Sequence, residues 1–210
     1  MVEGSLEVTS RTLYWCPQTR ASRAAWMLEE LGLEYERVHI DIRDDERQDP
    51  EGFRRASPLG KVPALADGDA YVSDSATICL YLADRYSLGE LAPKLDAPER
   101  ADYLYWTIFN PGAVEPAMSE KFAGNEPNSL SNSWGDFDRV IAAMESGLEG
   151  REWIVGDHFT AADLMLGSSV LFLRTFGGLP ESPVLEAYAD RCAARPAYQK
   201  AMSFDAEAAG

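Results

Sequence analysis

"SPLGKVPALADGDAYVSDSATICLYLADRY", residues 57–86, carries two motifs on either side of one tight turn. Asp67-Gly68 is a hairpin signal, because a two-residue turn needs positive φ and this pair tolerates it. The run from Val62 to Ala66 before it reads as a strand, and Ala70 to Ser73 returns antiparallel. Pro63 cannot donate to a ladder, so it belongs at a strand's first residues. A cis Val62-Pro63 bond would turn the chain and leave the N–H and C=O of Val62 facing outward. An extended peptide can pair with such groups as an added strand. The plainer alternative is an edge strand that happens to begin with proline. After the hairpin, Ser75 to Tyr86 is a helix, with Ile78, Tyr81, Leu82 and Arg85 at its spacing. Its free N–H groups and dipole favour a carboxylate. Ser75 adds a hydroxyl and Asp74 attracts an ammonium, so the pair suits the α-amino-acid end of a ligand. The plainer alternative is N-capping by Ser73, Asp74 or Ser75. The hairpin keeps both motifs close in space.

Upstream, Arg11 to Trp15 is a short β-rich run. Ala21 to Leu31 has helical spacing, with Ala24, Met27, Leu28 and Leu31 on one face and Gly32 as its C-cap. Val38, Ile40 and Ile42 alternate with polar residues as a strand does. The charged stretch that follows reads as loop and short helix. The order β-α-β-α-β-β-α predicts an α/β domain over residues 1–86. Two prolines mark a linker over 87–98, and 99–210 reads as all-helical. The helices expected there are Glu99 to Phe122, bent at Pro111-Gly112, then Leu130 to Leu148, Ala161 to Arg174, Pro183 to Ala194 and Ala197 to Met202. In "GDHFTAADLML", Thr160 and Asp163 have capping-box spacing, which accounts for Asp163 without a catalytic role.

Composition narrows the function classes. Thirty-five acidic residues against 19 basic ones give a net charge of -16. Such a chain repels polyphosphates and anionic membranes, so neither nucleic acid nor a membrane surface is an expected partner. Three scattered cysteines and two histidines imply neither a disulfide framework nor a structural metal site. The first ten residues are polar, without the apolar core of a leader, and no apolar run is long enough to span a bilayer. The expectation is a reduced, cytoplasmic protein.

A peptide-pairing edge beside a pocket for an amino-acid end describes glutathione. With "LEELGLEYE", "SPLGKVPAL", "SDSATICLYLADRY" and "GDHFTAADLML" in order and spacing, the chain resembles the cytosolic glutathione S-transferase family, bacterial type, over nearly its whole length. The resemblance implies a thioredoxin-like N-terminal domain followed by an all-helical C-terminal domain that lines the electrophile site. It implies glutathione as co-substrate, no metal, a small hydrophobic electrophile and a homodimer. It assigns Val62 to the cysteinyl part of glutathione and Asp74 and Ser75 to the γ-glutamyl end. Lys61 meets the glycyl carboxylate or is simply a solvated lysine.

The resemblance also locates the thiol. Glutathione's thiol titrates near the free cysteine value of about 8.5, so a hydroxyl donor and a helix N-terminus are needed to favour the thiolate. Counted back from Gly32, Thr19 falls at or beside the serine of the serine-type classes, and Arg20 falls where a cysteine-using bacterial class has its cysteine. Thr19 is the expected thiolate-stabilising donor. Tyr14 is the runner-up, with a core position as its alternative. Cys16 is out of register with a redox motif and lacks a second cysteine, which leaves it a minor candidate for nucleophile. Tyr14, Trp106, Phe109, Asn110 and Met118 are candidate lining of an electrophile pocket, although the stripe Tyr103, Trp106, Asn110 also suits core or dimer contact. The expected function is a glutathione S-transferase. The alternatives are a glutathione-dependent disulfide or peroxide reductase, or a non-catalytic relative that binds ligands or proteins.

Overall fold

The computed structural model describes residues 10–208. The polar stretch that argued against a leader lies almost wholly outside them. The described residues fall into two compact units. One runs up to Cys79 and takes the chain back from Lys200; the other is Leu80–Gln199.

The first unit is built on a four-stranded sheet in the order β2-β1-β3-β4. Its strands are β1 (Arg11–Trp15), β2 (Glu36–His39), β3 (Ala64–Asp67) and β4 (Ala70–Ser73). β2 pairs parallel with β1, while β1 with β3 and β3 with β4 are antiparallel. This is the thioredoxin-like sheet, with α1 (Ala21–Glu30) making the parallel crossover and α2 (Glu51–Ala56) leading into β3. β1 is buried on both faces. Tyr14 joins Ile40, Phe53, Ala56 and Ala64 in one cluster, while Leu13, fully buried, points to the opposite face. Across β1 and β3, Arg11 sits opposite Asp67, and the two form a buried ion pair at 3.1 Å.

The expected strand at Val62 begins two residues later, because Val62 and Pro63 stand outside the ladder. The Val62-Pro63 bond is cis. β2 is likewise shorter than the alternation suggested, ending at His39, although the Ile40 N–H still reaches the Trp15 carbonyl at 2.8 Å.

α3 (Ser75–Tyr86) and α9 (Pro196–Glu207) each contain a boundary between the units. The second unit is helical: α4 (Arg100–Phe109), α5 (Glu115–Phe122), α6 (Phe137–Leu148), α7 (Ala161–Thr175) and α8 (Pro183–Ala193). The bend expected at Pro111-Gly112 is a π-helical turn, Asn110–Val114, between α4 and α5. Proline has no N–H, so the hydrogen-bond register shifts there rather than breaking the helix. The helix expected from Leu130 starts only at Phe137. Gly135 has φ +74, and the extended Asp136 caps the helix by accepting from the Arg139 N–H at 2.9 Å. α7 starts with the capping box read from the sequence. Asp163 accepts from the Thr160 N–H at 2.9 Å, and the Thr160 hydroxyl accepts from Ala162 at 3.3 Å.

Candidate functional site

The register of the sheet assembles the site. Tyr14 pairs with Ala64, and Ala64 pairs with Ser73, so three residues form one row across β1, β3 and β4. Just beyond that row lie three segments: the turn from Cys16 to Arg20, the Val62-Pro63 bend, and Asp74-Ser75 at the start of α3. Residues far apart in the chain thus meet at one end of the sheet, because each segment continues directly from a paired position.

Among the described residues, neither the N–H nor the C=O of Val62 has a hydrogen-bond partner, while its side chain packs on the Tyr14 cluster. The bend before it is braced. The Ser57 hydroxyl donates to the Lys61 carbonyl at 2.7 Å and accepts from the Lys61 N–H at 2.9 Å. Arg47 donates to the Gly60 carbonyl at 3.1 Å and pairs with Asp49 at 2.7 Å. Ser57 and Arg47 escaped the sequence reading; only the serine's place in "SPLGKVPAL" pointed to it. The Lys61 side chain is exposed.

Asp74 caps α3, accepting from Ala76 at 2.9 Å and Thr77 at 3.2 Å. Its backbone is left-handed, with φ +73. Such a conformation is uncommon for a residue other than glycine and is concentrated at functional positions. Ser75 is buried, and its hydroxyl accepts from Arg23 on α1 at 3.4 Å. Arg23 therefore bridges the helix after the turn to the start of α3. No local pattern announces this contact, because an arginine beside alanines on α1 looks solvent-facing. Beneath it, burial pushes the Cys79 thiol up to about 12; Arg23 lowers it and Asp74 raises it. A thiol with that value is inert.

Thr19 stands at the entrance to α1. Its hydroxyl donates to the Cys16 carbonyl at 2.7 Å and accepts from the Ala21 N–H at 3.2 Å. A hydroxyl has one proton, so Thr19 must swing off the Cys16 carbonyl to donate elsewhere. Gln18 before it is left-handed, with φ +58. Cys16 is 1% exposed, and Arg43 donates to its sulfur at 3.1 Å.

Tyr14 takes the core position that was its alternative. Its ring packs on Phe53 at 5.6 Å, and a side chain added at Gly52 would strike its hydroxyl. Burial, with Tyr71 and Glu36 nearby, raises its pKa, so the phenol keeps its proton. Trp106 is half-buried, its ring facing Gly147 on α6, and Asn110 is fully buried at the π-helical turn. A cavity of about 410 Å³ in the helical unit is lined by Phe109, one of the expected residues, with Tyr105 and Ile108 of α4, Trp134 and Val140. Among the described residues, no group of three or more metal-ligating side chains could hold an ion.

Comparison with known proteins shows the family. Residues 15–85 match the glutathione S-transferase N-terminal domain, and residues 127–194 match the C-terminal domain. The chain is 31% identical to glutathione S-transferase 1 of Zea mays, over 80% of this chain and 80% of that protein. The chain belongs to the glutathione S-transferase family. Within the family, it is similar to a solved sphingomonad glutathione S-transferase complexed with glutathione, at 27% identity and TM-score 0.76, covering 93% of this chain and 98% of that one. It is also 26% identical to the disulfide-bond oxidoreductase YfcG of Escherichia coli, over 90% of this chain and 93% of that protein. The thioredoxin-like sheet and the helical unit are thus those of a glutathione S-transferase.

Proposed function

We propose that the protein is a glutathione S-transferase that binds glutathione across the end of the sheet and attacks a small hydrophobic electrophile. The observation that carries this reading is the convergence of unpaired Val62, left-handed Asp74 and the Thr19 turn beyond one row of the sheet. Val62 pairs with the cysteinyl backbone, Asp74 draws the γ-glutamyl ammonium, and Ser75 and the α3 N-terminus meet its carboxylate. Lys61 faces the glycyl carboxylate. The N-terminus of α1 and the Thr19 hydroxyl stabilise the thiolate, whose sulfur bonds to the electrophilic carbon as the leaving group departs with its electron pair. Aromatic side chains in the helical unit support an apolar second substrate. Exposed Leu104, Tyr105 and Ile108 on α4 support a homodimer. No helix among the described residues is long and apolar enough to cross a membrane, and all three cysteines are free, which supports a cytoplasmic setting.

The likeness to YfcG favours a second reading, in which the same thiolate attacks a disulfide sulfur. Titration with glutathione, followed by parallel assays with a chlorodinitrobenzene electrophile and a glutathionylated disulfide, tests both. Faster conjugation is the expected result, and faster disulfide turnover would favour the reductase. No glutathione binding at millimolar concentration would remove both and leave a non-catalytic binding protein.

A further inference from the structure

The turn carrying Thr19 is gripped from outside by a residue to which neither the motifs nor the comparisons assign a role. Arg43, in the loop after β2, donates through Nη1 to the Cys16 sulfur at 3.1 Å and through Nη2 to the Pro17 carbonyl at 3.3 Å. Its own backbone N–H is held by Asp41 at 3.0 Å. Cys16 in turn offers its carbonyl to the Thr19 hydroxyl at 2.7 Å. The chain of contacts therefore runs from guanidinium to turn to hydroxyl. A planar guanidinium fixes two acceptors at once, which one point charge cannot do.

We propose that Arg43 is a positioning residue for thiolate formation. It holds Cys16 and Pro17, and with them the backbone of the turn, so that the Thr19 hydroxyl stands where it can leave the Cys16 carbonyl for glutathione's sulfur. The role rests on the reading of Thr19 as the thiolate donor. It also gives buried Cys16 a use as the anchor of the grip. Three other charged groups belong to the turn's surroundings: Arg20 at the start of α1, Asp41 behind Arg43, and Asp205 on α9, whose carboxylate accepts from the Gln18 N–H. None of them bridges Cys16 to Pro17.

The test follows bound glutathione by thiolate absorbance from about pH 5 to about pH 9, with steady-state conjugation kinetics alongside. The unaltered chain is compared with Arg43→Gln, Arg43→Lys, Thr19→Ala and the Thr19→Ala/Arg43→Gln double variant. Arg43→Gln is expected to raise the thiol's apparent pKa and to lower kcat about tenfold at neutral pH, with KM for glutathione within about twofold. Most of the loss should be recovered at high pH, where the thiolate forms unaided; a merely unstable protein would not recover. Arg43→Lys should fall between the two and carries the test if the glutamine variant folds poorly. The double variant should be no worse than Thr19→Ala alone. If Thr19→Ala shifts the titration and neither Arg43 variant does, the role of Arg43 is overturned and that of Thr19 stands. An additive double variant, or a lysine variant equal to the unaltered chain, overturns the grip as well. An unshifted Thr19→Ala removes the parent reading and this inference with it.

Discussion

Asp74 has two duties that substitution can separate. It caps α3 through two backbone N–H groups, and it holds a left-handed backbone at φ +73. Asp74→Ala loses the cap and keeps the strained conformation, so thermal or denaturant unfolding should show a loss of about 1–2 kcal/mol. Asp74→Gly should lose less, because glycine adopts positive φ freely. If the carboxylate binds the γ-glutamyl ammonium, both variants should raise KM for glutathione by a similar factor despite their different stabilities. A KM that follows stability instead would reduce Asp74 to a cap. Cys16 makes a contrasting case. Its sulfur is buried and accepts from Arg43, so Cys16→Ser, which keeps an acceptor there, should retain most of the conjugation rate. Near-complete loss in a kinetic assay would make Cys16 the nucleophile.

The start of α7 shows how a local motif becomes part of a core. Fully buried Asp163 accepts from the Ile154 N–H at 2.8 Å and the Tyr188 hydroxyl at 3.0 Å, besides closing the capping box. Burial raises its pKa to about 6, against the pull of these hydrogen bonds. A carboxyl with a raised folded-state pKa stabilises fully below its unfolded value, and that contribution is lost as pH rises through the folded value. The difference in unfolding free energy between the unaltered chain and Asp163→Asn should therefore shrink from about pH 4 to about pH 6. Denaturant titrations across that window measure it, and a difference that grows with pH would contradict the assigned shift. The spacing of Thr160 and Asp163 announced the box, but the sequence could not show Tyr188 arriving from α8, 25 residues later. At the start of α6, hydrophobic spacing ran on through residues that Gly135 and Asp136 keep out of the helix. Turn chemistry outweighed periodicity there.

For the whole molecule, the proposed homodimer draws on the exposed stripe of Leu104, Tyr105 and Ile108 on α4. Leu104→Glu with Ile108→Glu should convert a homodimer to monomer in analytical ultracentrifugation while the circular dichroism spectrum is kept. A sedimentation coefficient unchanged by the pair would move the interface elsewhere. Much of the architecture was legible in the chain, since the hairpin at Asp67-Gly68, the proline at strand entry and the switch from mixed to helical periodicity are local properties of φ, hydrogen-bonding capacity and side-chain spacing. They determine which elements form and in what order, and they place Val62, Asp74, Ser75 and Thr19 at element ends. Burial and partnership are set by contacts between distant segments, and only the folded structure decided them. It put Tyr14 in the core, brought Arg23 to Ser75, shut Asn110 inside the helical unit and set Arg43 on the Cys16 turn. Local spacing gives every such residue the same face-to-face period, and only packing selects which face meets a neighbour.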